Sequence, residues 1–279
     1  FLPVGSFLLR ILIVFFLYLG WTSSYNTITG YTGYVNFGHV AFIGAGAYVT
    51  AILSRMGLPW YVSLILSGGT PALLALCFSP TLLLHGSYFA IATWMLVEIL
   101  HQIAILLDIT GGSYGISIFP LSLTSSYLLS FLLAVMAVLV NYFIEKSRFG
   151  FALKAIKSSE VAAETSGINT FKYKLLSYII AGFIAGVGGG IYALWVGYVC
   201  PGDAFNMARS TIFMGMLFLG GCGDYLGPLV GTPLLFIPLE LFWMYIPESI
   251  YMVLLGVTLI GTTQALPGGL LPVVRMRLN

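Results

Sequence analysis

Charge is what this sequence has least of. Only 7% of its 279 residues are Asp, Glu, Lys or Arg, while 59% are hydrophobic; a soluble domain carries about 25% charged residues. That scarcity excludes a chain facing water on all sides, and a mean hydropathy of +1.01 places it in a membrane. Histidine and cysteine are scarce too, at three each. Cys77, Cys200 and Cys222 have no CxxC spacing and read as small packing residues rather than disulfides or metal ligands. There is no HExxH, no credible Ser/His/Asp arrangement and no Walker A loop with its lysine, so no catalytic residue, cofactor or metal is assigned. The net charge of +2 comes from clustered basic residues and gives no reason to expect nucleic acid. The first residue is Phe1 rather than methionine, and a segment ahead of it is expected.

What is present is long apolar runs, near 7–27, 39–56, 60–83, 87–107, 125–144, 174–198, 207–222, 228–246 and 249–270. A hydrocarbon core of ~30 Å takes ~20 helical residues, and barrel strands would instead alternate over ~10. The expected fold is all-α: one transmembrane domain over 1–279, a polytopic bundle of about eight to ten helices, some broken or re-entrant. The 207–222 run is short and glycine-rich, a half-span or broken helix. Lys and Arg in short loops mark the cytoplasmic side, which puts residues 145–173, Arg275 and Arg277 there. The acidic loops with Asp108, Asp203 and Glu248 then fall outside, and Arg55 falls outside against the rule.

Two stretches are too polar and glycine-rich for plain spans, GYTGYVNFGHVAFIGAG (30–46) and GGCGDYLGPLVG (220–231). Irregular backbone at membrane depth must be buried in protein or line a cavity, and their loose likeness is compatible with repeated halves. Gly182, Gly186 and Gly190 recur every fourth residue, the close-packing face of membrane helices.

Few residues within the spans carry chemistry. Trp94, Glu98 and His101 share one helix face. A charge at the bilayer centre costs at least ~2.5 kcal/mol, which marks Glu98 as functional or paired; mutual hydrogen bonding with His101 and lining of a pathway both remain open. Asn36, Gly38 and His39 precede or begin a helix. Its free N–H groups suit a passing carboxylate, and Asn36 equally suits an N-cap.

The one soluble-looking stretch is 141–174, NYFIEKSRFGFALKAIKSSEVAAETSGINTFKYK, with six of the eleven basic residues. Phe149, Leu153 and Ile156 form an apolar stripe with Lys154 and Lys157 off it. Ser158 reads as an N-cap, Glu160 as a first-turn acid, and Gly167 as the residue just past a helix of about two turns. Helices under ~12 residues are marginal in water, so this one needs a surface to pack on. The small side chains of Ala162 and Ala163 suit a protein groove better than lipid.

The words Glu160-Val-Ala-Ala-Glu164-x-x-Gly167, with GYTGYVNFGHVAFIGAGAYVTAIL (30–53), GSYFAIATWMLVEIL (86–100) and TGGSYGI (110–116), resemble the LivM-like permeases of ABC importers. That family serves branched-chain amino acids and related small polar solutes such as urea and amides. Where the family often reads GYAGQLSLGH, this chain has Tyr34-Val35-Asn36-Phe37 in the inner part. The resemblance implies the ABC importer permease fold and a non-catalytic subunit in a bacterial or archaeal inner membrane. It implies a homologous permease as heterodimer partner, two cytoplasmic ATPase subunits using ATP and Mg, and an extracytoplasmic solute-binding protein. It assigns coupling to Ser159, Glu160, Ala162, Ala163, Glu164 and Gly167, and leaves Asn36, Gly38, His39, Trp94, Glu98 and His101 as pathway candidates. A stand-alone secondary transporter or channel using Glu98 and His101 as an ion relay is the other reading.

Overall fold

Only a helix satisfies a lone segment's backbone in lipid, and the apolar runs do become helices. The computed structural model describes residues 4–243 and scattered positions between 250 and 271. The expected span at 249–270, with Glu248, Arg275 and Arg277, lies largely or wholly outside the described residues. In chain order the helices are α1 (Val4–Tyr25), α2 (His39–Arg55), α3 (Trp60–Cys77), α4 (Ser87–Leu106) and α5 (Leu123–Lys146). They continue with α6 (Arg148–Ser158), α7 (Glu160–Thr165), α8 (Thr170–Val196), α9 (Pro201–Ala204), α10 (Met207–Gly220) and α11 (Gly227–Trp243). Among the described residues five helices are long and apolar enough to cross a membrane: α1 with its extension to Gly30, α3, α4, α5 and α8. The architecture is a polytopic helical membrane bundle. Its α10, at 14 residues, is the short element that the 207–222 run announced.

Two faces are defined by what meets there. At one end a two-stranded ribbon, β1 (Ile116–Ser117) with β2 (Tyr198–Val199), joins the α4–α5 loop to the end of α8. The outer half of α2 packs beside it through Ala47, Tyr48 and Ala51, so Arg55 lies at this end together with Asp203. At the opposite, basic end sit the turn after α1, the turn before α4, the α6–α7 pair and the α10–α11 turn. This two-sided arrangement agrees with the loop assignment made from charge.

The centre is built from close approaches. The face carrying Gly182, Gly186 and Gly190 packs within the chain, against Pro71, Ser67 and Thr50 of α3 and α2. On the other side of α8, a Cβ on Gly189 would fall on the Ile43 carbonyl and one on Gly188 on the Trp21 indole. Around this crossing lies the main core of Trp21, Tyr25, Phe42, Phe89, Tyr178 and Phe213. Cys222 packs against that core, whereas Cys77 is exposed at the end of α3 rather than filling space inside the chain; all three cysteines are free.

Where α1 ends it loosens into a π turn, Asn26–Gly30. Such turns occur where side chains compete for the helix ladder, and here Thr27 and Thr32 bond back to Ser23 and Ile28. Asn26 fills the opened space, donating to Asn141 Oδ1 at 3.0 Å and the Asp224 carbonyl at 3.1 Å while accepting from Gly223 N–H at 3.0 Å. Gly30 and Gly223 lie so close that a Cβ on either would meet the other's backbone, so the two irregular glycine-rich stretches meet at the basic end.

Candidate functional site

The basic loop folds into two helices and a tight turn. Ser147 caps α6 by accepting from Gly150 N–H at 3.2 Å. The stripe expected on α6 forms: Leu153 and Ile156 are buried with Tyr31 and Ile144, and Phe149 packs against them. The cap of α7 is Ser159, whose Oγ accepts from Ala162 N–H at 3.3 Å; Ser158 is instead the last residue of α6. The expected cap was one residue early because two adjacent serines offer the same chemistry, and the length of α6 decides between them. Gly167, at φ +82°, closes α7: its N–H donates to the Glu164 carbonyl and Ile168 N–H to that of Ala163.

Consecutive helical residues point about 100° apart, and Ala162 and Ala163 accordingly do not share a face. Ala163 is turned into the Tyr31–Leu153–Ile156 cluster, while Val161 is 73% exposed and Ala162 also faces outward. The uncovered surface of α7 is therefore Val161 and Ala162, with Thr165, Ser166 and Gly167 beside them.

Both acids of α7 turn back onto the chain. Glu164 accepts from Thr170 Oγ1 at 2.7 Å. Glu160 accepts from Lys174 Nζ at 2.5 Å and from the Tyr34 hydroxyl, with His85 Nε2 at 3.6 Å. Burial acts to raise the Glu160 carboxyl, but the Lys174 and Tyr34 hydrogen bonds and the Lys174 charge together hold it below the usual carboxylate range. A carboxylate stabilised this way supports the fold above its unfolded-state value and loses that support as pH falls through the lower folded value. The N-terminus of α7 should stay docked at neutral pH and at pH 5. Amide exchange at Ala162 and Ala163 should accelerate only at pH below the ordinary glutamate range.

Lys157 makes a second attachment. Its ammonium donates to the Gly30 carbonyl at 2.7 Å and the Cys222 carbonyl at 3.2 Å, bridging the two irregular stretches. Burial pushes this amine below the ordinary lysine value. Lys154 pairs with Glu145 at 3.0 Å, and the other Glu145 oxygen accepts from Tyr225 N–H. The sequence reading missed Lys157, Lys174, Tyr34 and Glu145. A signal existed for Lys174: with Tyr178, Ala181 and Ala185 it occupies one face of a helix, and a lysine on an otherwise buried apolar face requires a partner.

The pathway candidates separate into two places. Asn36, Gly38 and His39 are buried inside the chain. Gly38, not Asn36, is the residue before α2; Asn36 Oδ1 accepts from Gly38 N–H at 2.9 Å, a local turn that uses up the capping oxygen. Ser24 gives its proton to the Ala181 carbonyl, so His39 donates from Nε2 to Ser24 Oγ at 3.1 Å. Val40 N–H, one of the helix-start donors, is taken by Ser210 Oγ at 3.3 Å. Trp94, Glu98 and His101 instead line an open face of α4. Trp94 borders a cavity of about 390 Å³ with Phe37, Ile91, Met207 and Thr211, and Glu98 Oε2 lies 4.0 Å from His101 Nδ1 with its side chain half exposed.

Residues 7–263 match the family model described as branched-chain amino acid transport system, permease component. The chain belongs to that family of ABC transporter permeases. It is 28% identical to the high-affinity branched-chain amino acid transport system permease protein LivM of Salmonella typhimurium. That alignment covers 91% of this chain and 67% of the relative, and the LivM of Escherichia coli K12 matches to the same extent. A nucleoside ABC transporter permease of Lactococcus lactis is 40% identical over a shorter stretch, 25% of this chain and 22% of its own.

Proposed function

We propose that this chain is one membrane subunit of an ATP-driven importer for a small polar solute, coupled to its ATPases through α7. The observation that carries the reading is α7 itself. It is a six-residue helix, capped at both ends and anchored from behind, with Val161 and Ala162 left uncovered. A helix that short has no reason to be held out from the bundle unless a groove receives it. Two cytoplasmic ABC ATPases, which supply ATP and Mg chemistry, are the partners of that groove, and a solute-binding protein delivers from the acidic side. The membrane is the inner membrane of a bacterium or archaeon.

The open face of α4 supports the rest. A half-exposed carboxylate on a spanning helix does not face lipid, because the charge costs at least ~2.5 kcal/mol there. Glu98, His101 and Trp94 therefore face water or a homologous permease, and the pathway runs between the two subunits. Amino acids, branched-chain ones first, are the favoured solutes because the relatives aligned over most of this chain are named for them; urea and amides come next.

The test is uptake by proteoliposomes holding the permease pair, ATPases and binding protein, offered leucine, a polar amino acid, urea and galactose. Leucine should enter only with ATP. Glu98→Leu should lower that uptake at least tenfold while ATP hydrolysis continues. Transport by this purified chain alone, down an ion gradient, would establish instead a secondary transporter using Glu98 and His101.

A further inference from the structure

We infer that the Lys174 ammonium is the joint through which movement of α7 reaches the helices facing the pathway, with Glu160 and Tyr34 as the positioning residues on either side. This rests on the coupling role proposed for α7 and deepens it.

Few contacts tie α7 to anything that could carry motion. Ala163 rests on the α6 cluster, and Glu164 bonds Thr170 just six residues on. The first is an apolar contact, shared with Tyr31, that can slide, and the second keeps α7 on its own loop. Among the hydrogen bonds and ion pairs of α7, those of Glu160 reach beyond the loop. Its Oε1 meets Lys174, which is 2% exposed and donates also to the Leu82 carbonyl at 2.7 Å and to the Tyr34 hydroxyl at 3.3 Å. Glu160 Oε2 takes the Tyr34 hydroxyl itself. A single ammonium therefore holds α7, the base of α8, the turn ahead of α4 and the stretch ahead of α2.

Each branch continues without a gap. Tyr34 lies under the Lys174 charge, Nζ 4.6 Å from its ring, and packs edge-on against Phe89 in the first turn of α4 at 5.3 Å. Five residues on from Tyr34 is His39, where α2 begins. Phe89 lies on the helix that bears Trp94, Glu98 and His101. Leu82 and His85 flank the turn that starts the same helix, and His85 is the third group on Glu160. Buried ionic hydrogen bonds are directional and costly to break singly, so the group shifts as a unit rather than shearing.

A purely structural staple would also hold these groups together, and the two roles differ in what a mild variant changes. Tyr34→Phe removes one hydroxyl, keeps the ring against Phe89 and leaves Lys174 with Glu160 and Leu82. In proteoliposomes of the complete transporter, we expect Tyr34→Phe to assemble at wild-type level and to keep its ATPase rate within twofold. Solute moved per ATP hydrolysed should fall about fivefold. Glu160→Gln should fall further, and the double variant should be no worse than Glu160→Gln alone, because both act through one joint. Lower thermal stability with unchanged solute per ATP in Tyr34→Phe would overturn the inference and leave a staple. If Glu160→Gln does not assemble, Tyr34→Phe decides alone. A wild-type chain that fails to bind ATPase subunits, or transports without ATP, would instead remove the coupling reading and this inference with it.

Discussion

Gly186→Leu is expected to abolish accumulation of folded permease, and Gly186→Ala to lower it severalfold. Three helices meet at this residue. A Cβ there would collide with the Ser67 carbonyl and the Pro71 ring of α3, and the Gly186 carbonyl itself occupies the space beside Gly46 of α2. The geometry has a cause in the sequence. Pro71 has no N–H to give the carbonyl four residues earlier, so Ser67 O is released from the helix ladder and turned toward α8. Only a Cα hydrogen fits against it, a contact of the weak C–H···O kind. Overpacking a core costs ~1–3 kcal/mol when side chains can yield, and here the obstacles are a backbone carbonyl and a rigid proline ring. Against a total stability of roughly 5–15 kcal/mol, leucine at this crossing is not accommodated. Gly69 provides the control, with nothing within 4 Å of where its Cβ would stand: Gly69→Ala should accumulate at wild-type level. Detergent-solubilised protein measured by fluorescence-detected size exclusion distinguishes the three.

Val161→Arg should leave the subunit folded and eliminate ATP-dependent uptake, by at least tenfold. Val161 is 73% exposed at the exposed edge of α7 and makes no part of the buried cluster behind it. A charged, longer side chain at the centre of a small contact places an unpaired charge in a desolvated groove, and such losses reach ~2 kcal/mol or more, about thirtyfold in affinity. The contrast is Ala163→Leu. Its Cβ points into Tyr31, Leu153 and Ile156, so the added bulk displaces α7 and reduces folded protein as well as uptake. Measuring uptake beside membrane abundance separates the two outcomes. Equal loss of abundance in both variants would show that Val161 is part of the core.

Much of the bundle was legible because hydropathy over twenty residues averages away local detail. The starts of α2, α3, α4 and α10 fall within a residue of the apolar runs or their polar punctuation, and the stripe on α6 packs as its spacing required. Charge bias placed the loops on two sides that the β1–β2 ribbon and the Lys157 bridge keep separate. What escaped was partnership over long separations. Asn26 with Asn141, Tyr34 with Glu160 and Lys157 with Gly30 are 115, 126 and 127 residues apart, and no periodicity links them. Arg209 is another case: within the 207–222 run it is held by Asp203 and Tyr192, a triad that hydropathy hides. The orientation of Ala163 escaped for a different reason. A six-residue helix has too few positions to define a stripe, and its buried side is set by the Tyr31–Leu153–Ile156 cluster it packs on, which lies elsewhere in the sequence.

The ribbon has a mechanical consequence. Ile118 N–H donates to the Gly197 carbonyl and Leu121 N–H to that of Leu194, so the acidic α4–α5 loop is spliced onto the last turn of α8. α8 itself runs 27 residues with no internal proline, a strut of about 40 Å that carries Lys174 near its other end. In the importer proposed above, a delivery protein leaning on the outer loop and an ATPase pulling on α7 would grip opposite ends of the same rod. On that reading, loading at one mouth would travel along a single helix and leave it at Lys174, where Glu160 hands it to α7.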